Sequence, residues 1–342
     1  MNKKLIMNSL KINYDFGIRI DLGGKVGSGH FFRCLAIAKE LKKLDFNVIF
    51  LVNNEIEIKS HLDSKIPYYV LRSKCEIGKI KECRDICKKI SNLIIDLPSK
   101  NELYSKKIGE SNQVIIIDDL GNKEISSKFL FNGSIVDEYQ NYKIIKKNTK
   151  YFHGPKYMIL RNEFGITRKK IKRPKHKIKK ILLTFGGTDE KNILKKIIPF
   201  FIEKNFQISL VLGPSYRNKK NIQKIVKKNK NMKIYSDIKN IAGLFANQDL
   251  VISSSGVTSY ELACLGIPCI FIPTVKHETN TARYLEKNEF GLNYGFWDDD
   301  FNNFSKIFSK ISDHKIRTKM YYKGRKLVDG KGVHRLIKII TK

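Results

Sequence analysis

Short apolar runs rich in β-branched residues alternate with lysine-rich helical segments along this chain, and no other feature constrains the fold as strongly. A helix is predicted from about His30 to Lys43, directly after a glycine-rich loop. The predicted strands of the first half are Gly17–Leu22, Val48–Val52, Tyr68–Leu71, Leu93–Asp96 and Val114–Asp118, with Ser134–Val136 as a further candidate. Such alternation predicts a parallel sheet with helices on both faces.

A basic segment interrupts the alternation. Gly165–Lys180 carries Pro174 and has no apolar period, which is typical of a linker or of an exposed hairpin-like connection. Beyond it the pattern restarts with the predicted strands Lys180–Phe185, Gln207–Leu212, Met232–Tyr235, Leu250–Ser253 and Cys269–Ile272. The predicted helices there are Lys191–Glu203, Ile238–Ala246 and Val257–Leu265, followed by one or two amphipathic helices in Ser305–Lys342.

The length of 342 residues is right for two hydrophobic cores. We therefore expect an α/β chain of two Rossmann-like, doubly wound domains that face each other across a cleft. The first domain is expected at residues 1–170 and the second at 171–342, with C-terminal helices that pack back on the first.

The formal net charge of +33 raises the question of a nucleic-acid partner. The lysines are spread along the whole chain and no nucleic-acid-binding motif stands out, so we expect no such partner. The charge is instead expected to attract an anionic substrate or an anionic membrane surface. The apolar runs are too short to cross a bilayer and no signal peptide is recognisable, which predicts a cytoplasmic protein. The six cysteines show no zinc spacing, so neither a metal nor another cofactor is expected.

The first candidate site follows the first strand. Its glycines allow a tight turn and a close approach to a ligand. His30 stands at the start of a helix, where the helix dipole disfavours imidazolium, and a neutral histidine is suited to act as a general base. The alternative is a histidine that only caps the helix. The candidate residues are Arg19, Asp21, Gly27, Gly29, His30 and Arg33.

A second candidate site follows the first strand of the second half. Gly186, Gly187, Thr188 and Asp189 place small groups and a hydroxyl at a strand–helix junction, which suits contacts to phosphate or sugar. The alternative is a turn in which Asp189 caps the next helix. We expect both: a real cap, and glycines that face the cleft.

A third candidate site is the serine-rich run Ser253–Glu261. Ser254, Ser255 and Gly256 lead into a helix whose free N–H groups would favour a diphosphate, and Glu261 could accept the ribose hydroxyls. The alternative is a capping box between Thr258 and Glu261, which would explain those two residues but not the whole loop.

Two further polar stretches are less informative. Lys276–Asn280 is predicted to be a loop lining the cleft. Asp298–Asp300 is predicted to be solvated rather than a metal site, because three consecutive carboxylates do not share one side of a regular element.

These loops, in this order, resemble the UDP-2,4-diacetamido-2,4,6-trideoxy-altropyranose hydrolases of pseudaminic acid biosynthesis and the related spore-coat polysaccharide proteins. More distantly, the second half is similar to the GlcNAc transferase that forms lipid II. The resemblance spans roughly residues 17–295. The matching motifs are Arg19-x-Asp21, Gly27-x-Gly29-His30-x-x-Arg33, Gly154-x-x-Tyr157-x-x-Leu160-Arg161-x-Glu163-Phe164, Gly186-Gly187-Thr188-Asp189-x-Lys191-Asn192, Ser254-Ser255-Gly256 and Glu261-Leu262-Ala263-x-Leu265-Gly266-Ile267-Pro268.

The resemblance implies a GT-B fold and metal-independent hydrolysis of a UDP-sugar at C1 with inversion. It implies His30 as the catalytic histidine and Glu261 as the residue that holds the uridine ribose. Two departures fall where the sugar pocket is expected. Leu97-Pro98 follows Asp96 in place of a polar aromatic residue, and His277-Glu278 stand where the family favours Asn-Gln.

We therefore expect an enzyme that releases UDP and a free, diacetamido-trideoxy-type sugar for nonulosonic (pseudaminic-type) acid biosynthesis. The first alternative is a GT-B glycosyltransferase in which His30 deprotonates an acceptor hydroxyl. The second, of another class, is a non-enzymatic basic protein that binds nucleic acid or membrane. The sugar's substituents and the oligomeric state do not follow from the sequence.

Overall fold

A computed structural model describes residues 12–23, 28–62, 66–108, 113–187, 189–213, 216, 218–299 and 301–342. The chain divides into two compact units. The first consists of the residues up to Arg161 together with Lys331–Lys342, and the second of Asn162–Gly330.

The first unit is built on a seven-stranded parallel sheet with the strand order β3-β2-β1-β4-β5-β7-β9, and β6 pairs separately with β8. The strands are β1 Tyr14–Ile20, β2 Val48–Val52, β3 Tyr68–Val70, β4 Ile90–Asp96, β5 Gln113–Asp118, β6 Lys123–Ile125, β7 Phe129–Asn132, β8 Tyr142–Ile144 and β9 Lys150–His153. The helices that alternate with them are α1 Ser28–Lys43, α2 Glu55–His61, α3 Glu76–Cys87 and α4 Asn101–Ile108.

Both faces of this sheet are covered, because successive side chains of a strand point to opposite sides. Phe16 and Ile18 of β1 pack in one core with Phe31 of α1. Leu93 of β4 packs in a second core with Cys83 of α3. Burial on both faces is why these strands read as continuous apolar runs.

The second unit has a six-stranded parallel sheet with the order β12-β11-β10-β13-β14-β15. Its strands are β10 Lys180–Thr184, β11 Gln207–Val211, β12 Met232–Tyr235, β13 Leu250–Ser253, β14 Cys269–Phe271 and β15 Leu292–Asn293. Its helices are α5 Asn162–Arg168, α6 Ile193–Ile197, α7 Lys219–Lys228, α8 Ile241–Ala246, α9 Val257–Leu265, α10 Lys276–Lys287, α11 Phe304–Ser312 and α12 His314–Leu327.

The last helix, α13 Gly332–Ile340, belongs to the first unit. Its buried residues Val333, Leu336 and Ile337 join the core that contains Phe31. The unit boundary falls before α5 rather than at the expected residues 170 and 171, because α5 packs on α8 and α9. No helix in the described part of the chain is long and apolar enough to span a membrane.

Each sheet has one switch point, where the chain leaves a central strand for one side and later returns on the other. In the first unit it lies between β1 and β4, and in the second between β10 and β13. In doubly wound sheets, ligands bind beyond the carboxyl ends of the strands at such a point. The predicted α/β class is confirmed.

Several predicted elements differ from the structure. Ser134–Val136 is not a strand, because the Asn132 side chain accepts a hydrogen bond from the Ser134 N–H (2.8 Å) and turns the chain after β7. The helix expected over Lys191–Glu203 is shorter: α6 gives way to a 3₁₀ turn, Ile198–Phe201, at Pro199. Lys276–Asn280 is the first turn of α10 rather than a loop.

Candidate functional site

His30 lies in the first turn of α1 and is paired with the last residue of β4. Its Nδ1 is 2.9 Å from Oδ1 of Asp96, whose side chain is fully buried, while the His30 ring is 19% exposed. Since an ionised carboxylate only accepts hydrogen bonds, Nδ1 carries the proton in this pair. The lone pair is then at Nε2, which makes the ring an oriented base.

Arg33 holds the other side of the same carboxylate. Its Nε donates to Asp96 Oδ2 and one terminal nitrogen donates to Oδ1, both at 2.6 Å. The remaining nitrogen, Nη1, donates to both oxygens of Asp119 at 2.7 and 2.8 Å. Burial alone would raise the pKa of Asp96, but the Arg33 guanidinium and His30 outweigh it and hold that pKa well below its usual range. Asp96 is therefore ionised at neutral pH.

A second charged network lies beside the first. Asp21, which follows β1, is 2.7 Å from Arg19 and 2.7 Å from Lys100. Lys100 also pairs with Glu76 at 2.8 Å, and Glu76 accepts a hydrogen bond from the Tyr104 hydroxyl at 2.7 Å. Burial would raise the pKa of Asp21, but Arg19 and Lys100 together lower it.

The two networks meet at the switch point of the first sheet. Ile20 of β1 is in register with Asp96 of β4, so Asp21 and Asp96 both emerge at the carboxyl ends of adjacent strands. Lys100 lies four residues after Asp96, in the same connection. The first unit thus presents a histidine base, a lysine and carboxylates where a doubly wound sheet binds ligands.

Arg19 and Arg33, both expected to bind substrate, have buried side chains in the structure. The side chain of Arg19 is fully buried and stacks on Tyr104, with 5.0 Å from guanidinium to ring centre. The Arg33 side chain is 3% exposed, and its N–H groups donate to Asp96 and Asp119. Both guanidinium groups are buried and paired with carboxylates. Gly29 lies in the first turn of α1, and Gly27 is outside the described residues.

In the second unit, the loop after β10 leaves room for a ligand. A side chain built at Gly186 or Gly187 would meet nothing within 4 Å. Asp189 is buried, and its two oxygens accept hydrogen bonds from the N–H groups of Ile193 (2.9 Å) and Leu194 (3.1 Å). The expected helix cap is present, and the carboxylate is turned toward α6. Thr188 lies outside the described residues.

Burial also shifts the pKa values of two side chains in this region, Asp189 and Tyr216. It raises the pKa of Asp189 to about 6, against the opposing effect of the two N–H donors. It raises the pKa of Tyr216 to about 12, with a further contribution from the nearby Asp189 charge. The Tyr216 hydroxyl is buried and has no hydrogen-bond partner among the described residues.

The serine loop after β13 leads directly into α9. The cap residue of this helix is Gly256, which makes no side-chain cap, so the capping box between Thr258 and Glu261 is absent. Ser255 Oγ donates to the Glu278 carbonyl at 2.8 Å. Gly256 therefore places no side chain of its own over the first N–H groups of α9, and a helix N-terminus with free N–H groups favours a bound anion. Ser254 and Glu261 are buried beside it.

Glu278 lies between this loop and Thr274. One carboxylate oxygen, Oε2, accepts hydrogen bonds from the Thr274 N–H (2.8 Å) and hydroxyl (2.9 Å). The other, Oε1, would lie 2.9 Å from a β-carbon added at Gly256. The contacts from Thr274 occupy Oε2, and the role of Glu278 as a substrate-binding residue stays a prediction. His277, next to it, is exposed on the first turn of α10.

Sequence reasoning missed the partners that give the first site its chemistry: Glu76, Asp96, Lys100, Tyr104 and Asp119. A signal was present, since the apolar runs of β4 and β5 both end in aspartate. What the pattern lacked was the pairing of Asp96, and of Asp119 directly after β5, with residues of α1. Among the described residues, no group of three His, Cys, Asp or Glu is arranged to hold a metal ion.

Solved structures with the same fold include several glycosyltransferases. MurG from Acinetobacter baumannii superposes with a TM-score of 0.69 at 16% identity, covering 96% of this chain and 99% of that structure. The calicheamicin glycosyltransferase CalG4 superposes with a TM-score of 0.66 at 8% identity, covering 96% and 98%. The chain has the GT-B fold. Residues 181–314 match the glycosyltransferase family 28 C-terminal domain.

Several curated proteins are similar in sequence. An uncharacterized protein of Methanocaldococcus jannaschii is 34% identical over 72% of this chain, which spans only 53% of that protein. The spore coat polysaccharide biosynthesis protein SpsG of Bacillus subtilis is 26% identical over 95% of this chain and 97% of its own length. The UDP-2,4-diacetamido-2,4,6-trideoxy-beta-L-altropyranose hydrolase of Campylobacter jejuni is 26% identical over 81% and 98%.

Proposed function

We propose that this protein is an enzyme that hydrolyses a UDP-activated sugar at C1 and releases UDP and the free sugar. The observation that carries the proposal is the His30–Asp96 pair at the switch point of the first sheet. A buried carboxylate that fixes the proton on Nδ1 leaves Nε2 as the base, and a base is what water needs to attack carbon near neutral pH.

The chemistry assigns one role to each group. Nε2 of His30 takes a proton from water as the water oxygen bonds to C1. The bond from C1 to the β-phosphate oxygen breaks on the opposite face, and its electron pair leaves with UDP. Attack from the opposite face inverts the configuration at C1. Because UDP is a good leaving group, the reaction needs charge stabilisation there rather than a strong acid.

The second unit supplies groups suited to the nucleotide. The N-terminus of α9 follows Gly256, and its N–H groups and helix dipole favour a diphosphate. Gly186 and Gly187 leave open space after the neighbouring strand β10, on the other side of the switch point. In this proposal Glu261 accepts the ribose hydroxyls, as the family resemblance implies.

The sugar is proposed from similarity. The C. jejuni relative is named for hydrolysis of a diacetamido-trideoxy UDP-sugar, and we propose a sugar of that type here, for pseudaminic-type acid synthesis. Of the two residues after Asp96, Leu97 belongs to the buried core and Pro98 is partly exposed, so we propose that a different sugar substituent is accommodated beside Pro98.

A UDP-sugar-dependent glycosyltransferase is the second candidate. It is favoured by the match of residues 181–314 to glycosyltransferase family 28 and by the likeness to MurG. The same His30 would then deprotonate an acceptor hydroxyl instead of water, so the His30–Asp96 geometry serves both reactions.

The direct experiment is incubation of the purified protein with a panel of UDP-sugars, with and without candidate acceptors, while UDP release is followed. We expect release from a diacetamido-trideoxy UDP-sugar without any acceptor. His30→Ala should abolish release and leave UDP binding, measured by calorimetry, nearly intact. UDP release at the wild-type rate from this variant would exclude His30 as the base.

A further inference from the structure

We propose that Arg33 is a positioning residue that holds Asp96 ionised and so decides which nitrogen of His30 carries the proton. The assignment rests on the proposed function, since it concerns the same histidine. It differs from the role expected from the sequence, in which Arg33 contacts the substrate.

The geometry places Arg33 between two carboxylates rather than toward solvent. It follows His30 by three residues on α1, so both side chains leave the same face of the helix. The guanidinium meets Asp96 side-on through two hydrogen bonds of 2.6 Å, the bidentate arrangement that fixes both distance and plane. Its third edge is held by Asp119, 2.7 Å away.

Asp96 is fully coordinated as a result. Oδ1 accepts from His30 Nδ1 and from Arg33, while Oδ2 accepts from Arg33 Nε and lies 3.4 Å from the Cys34 thiol. Asp119 is the second carboxylate that Arg33 contacts, and its side chain is 26% exposed, against 0% for Asp96.

The guanidinium matters because Asp96 lies in the core. Without a cation beside it, a buried carboxylate takes up a proton. A protonated Asp96 can donate its O–H to Nδ1, and the imidazole proton then moves to Nε2. The nitrogen that should receive a proton from water would already hold one. Arg33 prevents this by supplying the positive charge that the carboxylate needs.

A double-mutant cycle separates positioning from substrate contact. The variants are Arg33→Met, Asp96→Asn and the two combined. Arg84→Met is the control, because Arg84 is exposed on α3 and its guanidinium donates to the Lys107 carbonyl. We expect Arg33→Met to lower kcat by about 100-fold, which is within the contribution of a general base. In the Asp96→Asn background the same substitution should change kcat by less than about 3-fold, because coupled residues are not additive.

The KM and the UDP dissociation constant should stay within about 2-fold of wild type in all variants, since Arg33 lies outside the proposed nucleotide groups. An equal loss of kcat in both backgrounds, or a loss confined to KM, would show that Arg33 acts on the substrate directly and would overturn the proposal. If Arg33→Met does not fold, Arg33→Lys replaces it: charge without the bidentate fork should retain part of the rate.

A spectroscopic readout tests the proton itself without substrate. In ¹⁵N-histidine-labelled protein, His30 is assigned by its absence in His30→Asn. We expect the proton on Nδ1 in the wild type and on Nε2 in Arg33→Met, while Arg84→Met keeps the wild-type spectrum. The same tautomer in wild type and Arg33→Met would overturn the proposal. Failure of the wild type to release UDP from any UDP-sugar would refute the proposed function alone, because the tautomer is measured independently.

Discussion

Asp189→Asn should remove a pH-dependent penalty on the stability of the second unit. The Asp189 carboxylate is 5% exposed, and burial raises its pKa to about 6 from an ordinary value of 3.8. The folded protein therefore holds an extra proton between about pH 4 and pH 6. Because the folded state binds more protons there, the free energy of unfolding falls as pH rises through this window and then levels off.

The magnitude follows from the difference of about 2 pKa units, at 1.36 kcal/mol for each unit, or about 3 kcal/mol between pH 4 and pH 7. Asparagine keeps an oxygen to accept from the Ile193 or Leu194 N–H but carries no charge. The stability of the wild type relative to Asp189→Asn should therefore decline by up to that amount over the window. Comparing the wild type with Asp189→Asn cancels the contributions that other carboxylates make to the pH dependence of stability. Asp96 is one of these, and its lowered pKa acts in the opposite direction at acid pH.

The assay is urea unfolding from pH 4 to pH 8, followed by the fluorescence of Trp297. It is the single tryptophan of the chain, and Lys191 lies 4.4 Å from the centre of its ring, so it reports on the unit that contains Asp189. Asp237→Asn is a matched control, because Asp237 has a similar left-handed backbone (φ 52°, against 43° for Asp189) but is exposed. A wild-type-minus-variant difference that is flat, or that rises with pH, would refute the burial argument.

Three further substitutions test the second unit. Glu261→Gln should weaken UDP binding by about 10- to 100-fold in calorimetry, since a hydrogen bond to a charged group is worth about 1.5–3 kcal/mol; unchanged affinity would remove Glu261 from the nucleotide site. Tyr216→Phe should raise the free energy of unfolding by about 1 kcal/mol, because a buried hydroxyl with no partner among the described residues is lost; a clear loss of stability would mean that the hydroxyl is satisfied. Gly213→Ala should lower stability by about 1–3 kcal/mol and weaken UDP binding, because its β-carbon would fall 2.2 Å from the Gly187 carbonyl oxygen and displace the glycine loop; retention of both would contradict the tight contact between these loops.

Elements whose signals are local could be predicted from the sequence. β2, β12, β13 and α9 have the predicted bounds, because each is a short apolar run or an apolar helix bounded by polar, glycine or proline residues. The structure of the C-terminal segment was harder to predict from the sequence. It forms three helices, and the amphipathic pattern of α13 does not reveal that its partner is α1, some 300 residues earlier in the chain.

The site could be predicted only in part, for the same reason. The position of His30 at a helix start follows from the glycines before it, but its partner Asp96 is 66 residues away, and the pair exists because β1 and β4 are adjacent. Arg19 resembles a ligand-binding cation in the sequence, yet Asp21 and Tyr104 neutralise and bury it. A motif specifies which residues are present, whereas strand order decides which of them face one another.

The central claim, that water oriented by His30 attacks C1 of a UDP-sugar, is tested most directly by hydrolysis in heavy-oxygen water without an acceptor. We expect the label in the C1 hydroxyl of the released sugar, unlabelled UDP, and the inverted anomer in proton NMR spectra recorded before mutarotation. We also expect that added acceptors do not accelerate UDP release. Label in the UDP phosphate would mean attack at phosphorus. UDP release that is slow until an acceptor is added would mean transfer rather than hydrolysis, and either result would contradict the account.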